Sequence, residues 1–272
     1  MTIAEFRKTI FDYYACYGRT FPWRINLDPW GVLVSEFMLQ QTQTARVVPY
    51  WERWMAKWPT AIDLASASLE DSVREWICLG YNRRAKNLWE CSRVICENHN
   101  GMTPDTPEVL LTLPGIGPYS AGAIACFAWN YPAVFIETNI RSVLLHFFFQ
   151  DKIGVEDGAL FPLLSASLDK ENPRKWYWAL MDYGAELKKT TANPNRKSAG
   201  YVRQSRFKGS LRELRGAIIR KLAGQGRQNE KTLLGSVKMD MEELKEEDFY
   251  KALASLRKDM MVAEEEGMYR IG

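Results

Sequence analysis

The chain has 272 residues, of which 46% are hydrophobic, and its formal net charge is +3. This length predicts one large or two modest domains with a packed core, and the small net charge excludes a strongly basic or strongly acidic protein. We expect a soluble intracellular protein, because no apolar run is long enough to span a membrane and the five cysteines mostly have apolar neighbours. Neither the cysteines nor the two histidines have the spacing of a metal site.

From residue 4 to about residue 207 the pattern is helical. Apolar residues recur at spacings of three and four, and proline, glycine and asparagine interrupt them at intervals. Thr60 and Ser68 are typical N-caps, and Thr106 is followed by a proline at the first helical position. Strand-like alternation is nearly absent, so the sequence predicts an all-α protein of about ten helices.

A basic segment follows. Between residues 188 and 221 there are eleven lysines and arginines and one acid. Such a run is either an ordinary solvated face or a linker lying on a polyanion.

The last 65 residues form a separate small unit. We predict a helix in "LRELRGAIIRKLAG", a short connection in "NEKTLLGSV", a helix in "KEEDFYKALASLRKD", and a hairpin that turns at Glu266-Gly267. Helices followed by a hairpin are typical of a winged helix, which often binds DNA. Residues 240–266 are rich in acids, however, so packing or binding of a protein partner is an equally good interpretation of the wing.

The stretch "LPGIGPYSAGAIA" carries the most specific local signal. Gly115 and Gly117 flank one isoleucine and precede a helix rich in alanine and glycine, which predicts a tight turn with exposed backbone N–H groups at a helix N-terminus. Such a turn suits a phosphate group. It resembles the hairpin of the helix-hairpin-helix DNA-binding motif, which holds a DNA strand without reading its sequence.

Three further stretches occur in a fixed order before that hairpin: "FPWR", "DPWGVLVSEFMLQQTQTARVVPYWERWMAKWPT" and "LGYNRRAKNL". Together with the hairpin they resemble the helix-hairpin-helix base-excision DNA glycosylases, most closely the MutY-type adenine DNA glycosylases, over roughly residues 20–187. The resemblance implies a two-lobed all-α fold with a DNA groove between helical domains. We expect one domain from residues 1–27 plus 128–207, a helical bundle from 28–127, and the winged-helix-like domain from 208–272.

Two carboxylates carry the chemistry that the resemblance implies. Hydrolysis of an N-glycosidic bond needs a proton donor for the leaving base and a negative charge beside the oxocarbenium-like sugar. The acid within "SEFMLQQT" is Glu36, which becomes the proton donor. The second family carboxylate is an aspartate, but this chain has Glu137 there, with Asn139 at the usual spacing. The resemblance assigns the role of this aspartate to Glu137. Because Glu137 is one methylene longer, either the pocket is adjusted to the longer side chain or the rate or target base differs from those of the family.

Tyr119 ends the hairpin where bifunctional relatives carry a lysine. Since tyrosine forms no Schiff base, the resemblance implies a monofunctional glycosylase that leaves an abasic site. Packing of Tyr119 against the hairpin helix is the alternative interpretation.

The DNA-contacting residues follow from the same resemblance. An enzyme that acts on a base extrudes it from the stack, and Gln41, with Thr42 beside it, corresponds to the side chain that wedges into the gap. Tyr81 corresponds to a tyrosine beside the unpaired opposite base. Contacts with phosphates are expected from Arg83, Arg84 and Lys86. Gly115, Gly117 and Asn139 are also assigned to the DNA-binding surface.

Two family features are missing. No cysteine occurs after Cys126, so the four-cysteine iron–sulfur cluster of most relatives is not expected, and neither is any other cofactor beyond a structural monovalent cation at the hairpin. The final 65 residues do not resemble the larger domain that senses 8-oxoguanine in typical MutY enzymes.

The sequence therefore predicts a monofunctional base-excision repair glycosylase that removes adenine mispaired with guanine or 8-oxoguanine. A thymine or uracil glycosylase acting opposite guanine is one alternative, and a non-catalytic DNA-binding adaptor is another. We expect a monomer whose partner is double-stranded DNA with a mispaired or damaged base, in the cytoplasm at the nucleoid, without membrane association.

Overall fold

A computed structural model describes residues 1–203, 206–241 and 243–272 of the chain. The described chain is mostly helical and has a small three-stranded sheet near its C-terminus, which confirms the predicted fold class. The helices before the basic segment are α1 (Ile3–Tyr17), α2 (Pro22–Ile25), α3 (Pro29–Leu39), α4 (Thr44–Lys57), α5 (Ala61–Ala65), α6 (Leu69–Trp76), α7 (Arg83–His99), α8 (Pro107–Leu110), α9 (Pro118–Trp129), α10 (Thr138–Phe148), α11 (Asp157–Ser167) and α12 (Pro173–Thr190). A 3-10 helix, Pro194–Lys197, follows α12.

Contacts divide the chain into two compact units. Unit 1 comprises Met1–Glu36 and Pro104–Arg203, and unit 2 comprises Phe37–Thr103 and Gln204–Gly272. The first boundary lies inside α3. The predicted three-domain division, with boundaries after residues 27, 127 and 207, stays a prediction.

Local capping explains where several helices begin. Thr60 forms a reciprocal capping box with Asp63, and the Ser68 hydroxyl accepts the N–H of Asp71, as the sequence predicted. Thr106 makes no side-chain cap, although the helix begins with the expected proline, Pro107.

The core of unit 1 is built around α10 and α12. Phe6, Ile140 and Trp176 are fully buried there, and the Trp176 ring lies edge-on to Phe6. A Cβ at Gly184 of α12 would lie 2.4 Å from the carbonyl oxygen of Asn139, so only glycine permits this close approach. The N-terminus of α10 is therefore held directly against α12.

Unit 2 combines tryptophan packing with the C-terminal fold. Trp54 of α4 lies edge-on to Trp58 and to Trp76 of α6, with ring centroids 4.6 Å and 5.5 Å apart. The elements after the basic segment are α13 (Leu211–Gln225), β1 (Gln228–Asn229), α14 (Glu230–Asp240), α15 (Glu246–Lys258), β2 (Val262–Glu265) and β3 (Met268–Ile271). The sheet order is β1-β3-β2, with all pairs antiparallel.

The predicted hairpin is confirmed. Glu266 and Gly267, the two residues between β2 and β3, both have positive φ values, 52° and 72°. Positive φ at both central residues suits a tight hairpin turn, because its twist matches that of the strands.

The expected connection at "NEKTLLGSV" was wrong, since α14 occupies most of it. The Asn229 side chain accepts the N–H of Thr232 as an N-cap, and Leu233 and Val237, four residues apart, are fully buried. A helix, a short strand, two helices and a hairpin is the order of a winged helix.

No helix of the described residues is long and apolar enough to cross a membrane.

Candidate active site and nucleic-acid surface

Glu36 is a buried acid in an apolar helix. Only 3% of its surface is exposed, and Leu33, Phe37 and Met38 on the same helix are buried too. Its Oε2 accepts a hydrogen bond of 3.1 Å from the Tyr119 hydroxyl. Burial raises the pKa of Glu36 to about 7; the Tyr119 bond opposes this rise, and the charge of Glu137 adds to it. The carboxyl therefore exchanges its proton near neutral pH.

The hairpin positions Tyr119. Gly115 has φ +78°, which favours glycine, and Gly117 caps α9, whose second residue is Tyr119. The Tyr119 ring lies edge-on to Phe135, with centroids 5.8 Å apart. Burial and the nearby carboxylates hold the pKa of Tyr119 well above its ordinary value. Tyr119 is thus a hydrogen-bond donor throughout the pH range in which Glu36 titrates.

The hairpin glycines are exposed at the surface of unit 1. A Cβ at Gly117 would meet no atom within 4 Å, so internal packing does not require glycine at that position. Exposed backbone at a helix N-terminus is the arrangement expected for a phosphate contact, which stays a prediction.

Glu137 caps the N-terminus of α10. Its Oε1 accepts the backbone N–H groups of Asn139 at 2.6 Å and Ile140 at 2.8 Å, and its Oε2 accepts the Asn139 amide at 3.2 Å. The Asn139 amide oxygen in turn accepts a bond of 2.8 Å from Lys188. Burial raises the pKa of Glu137, while these backbone bonds and the Lys188 charge oppose the rise. The side chain of Glu137, although longer than that of aspartate, therefore reaches the backbone N–H groups at the N-terminus of α10.

Glu36, Tyr119 and Glu137 lie together within unit 1. The charge of Glu137 affects the pKa of both other groups, and Glu36 and Tyr119 are directly bonded. One carboxyl has a single hydroxyl donor and the other has three N–H donors. Different surroundings of two neighbouring carboxyls are what an acid and a charge-stabilising partner require.

Sequence reasoning missed the charged groups that support this site. Asp182 is fully buried and receives bonds from the guanidinium groups of Arg19 and Arg24, both at 3.0 Å or less. The positive charge of Arg24 slightly opposes the rise in the pKa of Glu36. Arg24 lies in the "FPWR" stretch, but nothing in the sequence showed that its side chain pairs with Asp182.

The predicted wedge lies just after α3. Gln41 is exposed and has a positive φ of 56°, an uncommon conformation for glutamine. Thr42 donates its N–H to Leu39 and accepts a bond of 3.1 Å from Arg84. Tyr81, in the turn between α6 and α7, is 37% exposed and also has a positive φ, 48°. The roles of these residues at DNA stay predictions.

The three cations of "NRRAK" differ in exposure. Arg83 is largely exposed and lies 3.6 Å from Asp259. Lys86 is buried and paired with Glu90 at 2.7 Å. Only Arg83 of the three is placed as the phosphate prediction requires.

Arg84 departs most from the predicted phosphate contact. It is 6% exposed, and it donates to the carbonyls of Phe37, Met38 and Gln40 at 2.6–2.9 Å. Its other terminal nitrogen bonds Thr42 and the carbonyls at Leu79 and Gly80. The last carbonyl groups of a helix lack N–H donors within the helix. At the C-terminus of α3 the Arg84 guanidinium group provides those donors. Arg84 therefore joins two turns and has little capacity left for DNA.

The expected absence of an iron–sulfur cluster or other cofactor stays a prediction. Cys91 and Cys126 are buried and Cys16 and Cys78 are exposed, and the described residues contain no group of three or more potential metal ligands. In the segment after α12, the buried Asn195 donates instead to the Thr138 carbonyl at 2.9 Å. That protein contact anchors the 3-10 helix.

Comparisons with known proteins agree with this geometry. Residues 34–160 match the family described as HhH-GPD superfamily base excision DNA repair protein. The chain is 49% identical over 136 residues to the adenine DNA glycosylase of Mycobacterium tuberculosis, covering 50% of this chain and 45% of the relative. It is 37% identical over 200 residues to the Homo sapiens adenine DNA glycosylase, covering 68% and 36%. The chain thus spans about half or less of these curated relatives.

Solved structures share the fold. A thermostable thymine-DNA glycosylase matches with a TM-score of 0.62 and 25% identity, over 67% of this chain and 86% of that one. An endonuclease III in a non-covalent DNA complex matches with a TM-score of 0.57 and 20% identity, over 66% and 85%.

Proposed function

We propose that the chain, whose residues 34–160 match the HhH-GPD superfamily of base excision DNA repair proteins, is a monofunctional adenine DNA glycosylase. The substrate is adenine mispaired with guanine or 8-oxoguanine in double-stranded DNA. The names of the curated relatives support adenine as the target base.

One observation carries the proposal: Glu36, with a pKa of about 7, lies beside a tyrosine and a second carboxylate. A general acid works best when its pKa is close to the working pH, because it is then protonated often and still gives up its proton readily. Glu36 meets that condition through burial. It would protonate the leaving base.

Glu137 would supply negative charge to the sugar. As the glycosidic bond breaks, positive charge develops at the sugar ring, and a fixed carboxylate nearby stabilises it. Its bonds to Asn139 and Ile140 hold the carboxylate in one orientation. Oε2 accepts one bond, from the Asn139 amide at 3.2 Å, and can therefore accept or attract a further group.

Tyr119 supports hydrolysis without strand cleavage. Its hydroxyl is bonded to Glu36, and a phenol forms no Schiff base with the opened sugar. The product would be an abasic site that alkali converts to a strand break.

A thymine glycosylase acting opposite guanine is the second candidate. The similarity to a thermostable thymine-DNA glycosylase, over 86% of its length, favours it. Identity of 49% to an adenine enzyme over 136 residues weighs more heavily for adenine.

The test is a glycosylase assay on labelled duplexes carrying A, T or U opposite G, and A opposite 8-oxoguanine, each with and without alkali. Breaks that appear only after alkali and only on the adenine duplexes are the expected result. Release from T·G or U·G alone would replace the proposal with the second candidate. Binding without release from any duplex would indicate a non-catalytic adaptor.

Glu36→Gln is the matched variant for that assay. It keeps the size and the hydrogen bond acceptor but cannot donate an acidic proton. We expect base release to be abolished while duplex binding changes by no more than a few-fold. Substantial residual release would show that another group is the acid.

A further inference from the structure

A large cavity in unit 2 has arginine-rich walls. Its volume is about 1070 Å³, and its lining comes from the turn after α3, the α6–α7 turn and α13, with further residues from α4, α7 and α15. The lining includes six arginines and no aspartate or glutamate: Arg46, Arg83, Arg84, Arg212, Arg215 and Arg220. The cavity thus joins the turns that carry Gln41 and Tyr81 to the winged-helix-like part of the chain.

Helix α13 has two distinct faces. Leu214, Ile218 and Leu222 are buried in the core of the C-terminal fold. The cavity wall is formed by residues at spacings of three and four along one side of the helix: Arg212, Arg215, Gly216, Ile219 and Arg220. This spacing places the three arginines in one stripe.

The charge of the cavity is only slightly compensated. Asp259 pairs with Arg215 at 2.6 Å and lies 3.6 Å from Arg83. Arg220 is exposed, and among the described residues no carboxylate forms an ion pair with it. Six guanidinium groups against one carboxylate leave a surplus of five positive charges. A concentration of one sign of charge in a concave surface attracts an anion of many charges.

The aromatic and backbone features of the wall also indicate a binding surface. Arg212 donates to the Tyr81 hydroxyl at 2.7 Å, so α13 directly supports the predicted DNA-contacting tyrosine. Gln41, Cys78, Gly80 and Tyr81 all line the cavity and all have positive φ. Non-glycine residues in that region are strained, and such strain is concentrated at functional sites.

We propose that this arginine-walled cavity binds the phosphodiester backbone of DNA, and that α13 supplies the C-terminal part of the grip. The identity of the polyanion rests on the proposed function, while the binding site rests on the charges and the cavity. Its volume of about 1070 Å³ lies at the upper limit of ordinary small-molecule pockets, about 300–1,000 Å³, so the number of arginines and not the volume indicates a polymer. Phosphates along a strand can engage several arginines at once.

In the winged-helix-like part of the chain, the third helix, α15, is less suited to contact DNA than α13. In a helix-turn-helix the later helix usually enters the groove. Here the first turn of α15 contains Glu246, Glu247 and Asp248, which would repel phosphates. The winged-helix-like fold therefore meets DNA through its first helix.

The test is a comparison of two double variants. Arg212→Ala/Arg220→Ala removes two charges from the cavity wall. Lys231→Ala/Lys258→Ala removes two exposed charges from α14 and α15 and serves as the matched control. Circular dichroism and thermal unfolding check that each variant is folded, and Arg212→Lys/Arg220→Lys tests whether retained charges at both positions preserve binding.

Binding is measured by fluorescence anisotropy on a fully paired duplex over a series of salt concentrations. Each lost phosphate contact should reduce the slope of log affinity against log salt by about 0.9, so about 1.8 for the arginine double variant. We expect no change in slope for the lysine control. An unchanged slope in the folded arginine variant would overturn the proposal.

Two further results test the phosphate contacts directly and distinguish this proposal from the proposed glycosylase function. Replacing chloride by inorganic phosphate at equal ionic strength should weaken duplex binding more in the wild type than in the arginine variant, because phosphate competes for the cavity arginines. Equal weakening of the two proteins would show that these arginines hold no phosphate of the duplex, against the proposal. Arginine-dependent binding without base release would overturn the proposed function alone, and base release without arginine-dependent binding would overturn the cavity assignment alone.

Discussion

The hydrogen bond between Tyr119 and Glu36 makes a quantitative prediction about pH. The hydroxyl donates to the carboxylate at 3.1 Å, which favours the ionised form and lowers the pKa. Tyr119→Phe removes that donor and keeps the ring against Phe135. The pKa of Glu36 should therefore rise above its value of about 7.

The size of the rise follows from the bond. A hydrogen bond to a charged group contributes about 1.5–3 kcal/mol, and about 1.36 kcal/mol corresponds to one pKa unit. The bond between Tyr119 and Glu36 is longer than the usual distance for a hydroxyl donor, so the lower end applies. We expect a shift of about one unit, to about 8.

The assay is the single-turnover rate of base release across a pH series on an adenine-mismatch duplex. Because protonated Glu36 is the active form, the rate of the wild type should fall as pH rises through about 7. In Tyr119→Phe this fall should move about one unit toward alkaline pH, whatever the absolute rate.

Tyr177→Phe is the control for that experiment. Tyr177 also lies in unit 1, and its hydroxyl donates to the Ala133 carbonyl at 2.9 Å rather than to an acid. Its midpoint should match wild type. A Tyr119→Phe midpoint that stays in place, or moves toward acid, would refute the reasoning that Glu36 is the titrating acid and that Tyr119 tunes it.

Three further predictions concern groups around the site. Glu137→Asp keeps a carboxylate suited to a helix cap, so we expect its unfolding free energy to lie within about 0.5 kcal/mol of wild type and its base release to be retained or raised. Glu137→Gln should lose base release. If single-turnover assays show faster release by Glu137→Gln than by Glu137→Asp, Glu137 does not act in the reaction. Arg84→Met leaves several buried carbonyls without donors, each costing about 1–3 kcal/mol, so urea denaturation should show a loss of at least about 3 kcal/mol; a loss under about 1 kcal/mol would contradict the capping role. Gly184→Ala forces a Cβ against the backbone of Asn139, so the free energy of unfolding should fall by about 1–3 kcal/mol and base release should slow. Unchanged stability and rate would mean that α10 accommodates the Cβ without displacing Glu137.

Local patterns in the sequence predicted much of the secondary structure. The caps at Thr60 and Ser68 and the turn at Glu266-Gly267 depend on neighbouring residues, so they could be read from a short window. The prediction of a connection at "NEKTLLGSV" was wrong for the same reason, because it too considered only neighbouring residues. Its two buried positions, Leu233 and Val237, are too few to show a helical period without their partners in the C-terminal core.

The sequence alone determined the class of fold and the candidates for the site, because motif order and residue type are properties of the chain. It could not determine the surroundings of each charge. Glu36 and Tyr119 are 83 residues apart and become acid and donor only when packing joins them. Arg83 and Arg84 are adjacent, yet one is largely exposed and the other is buried against carbonyls. Burial and hydrogen-bond partners set pKa and accessibility, and both depend on contacts that only the tertiary structure makes.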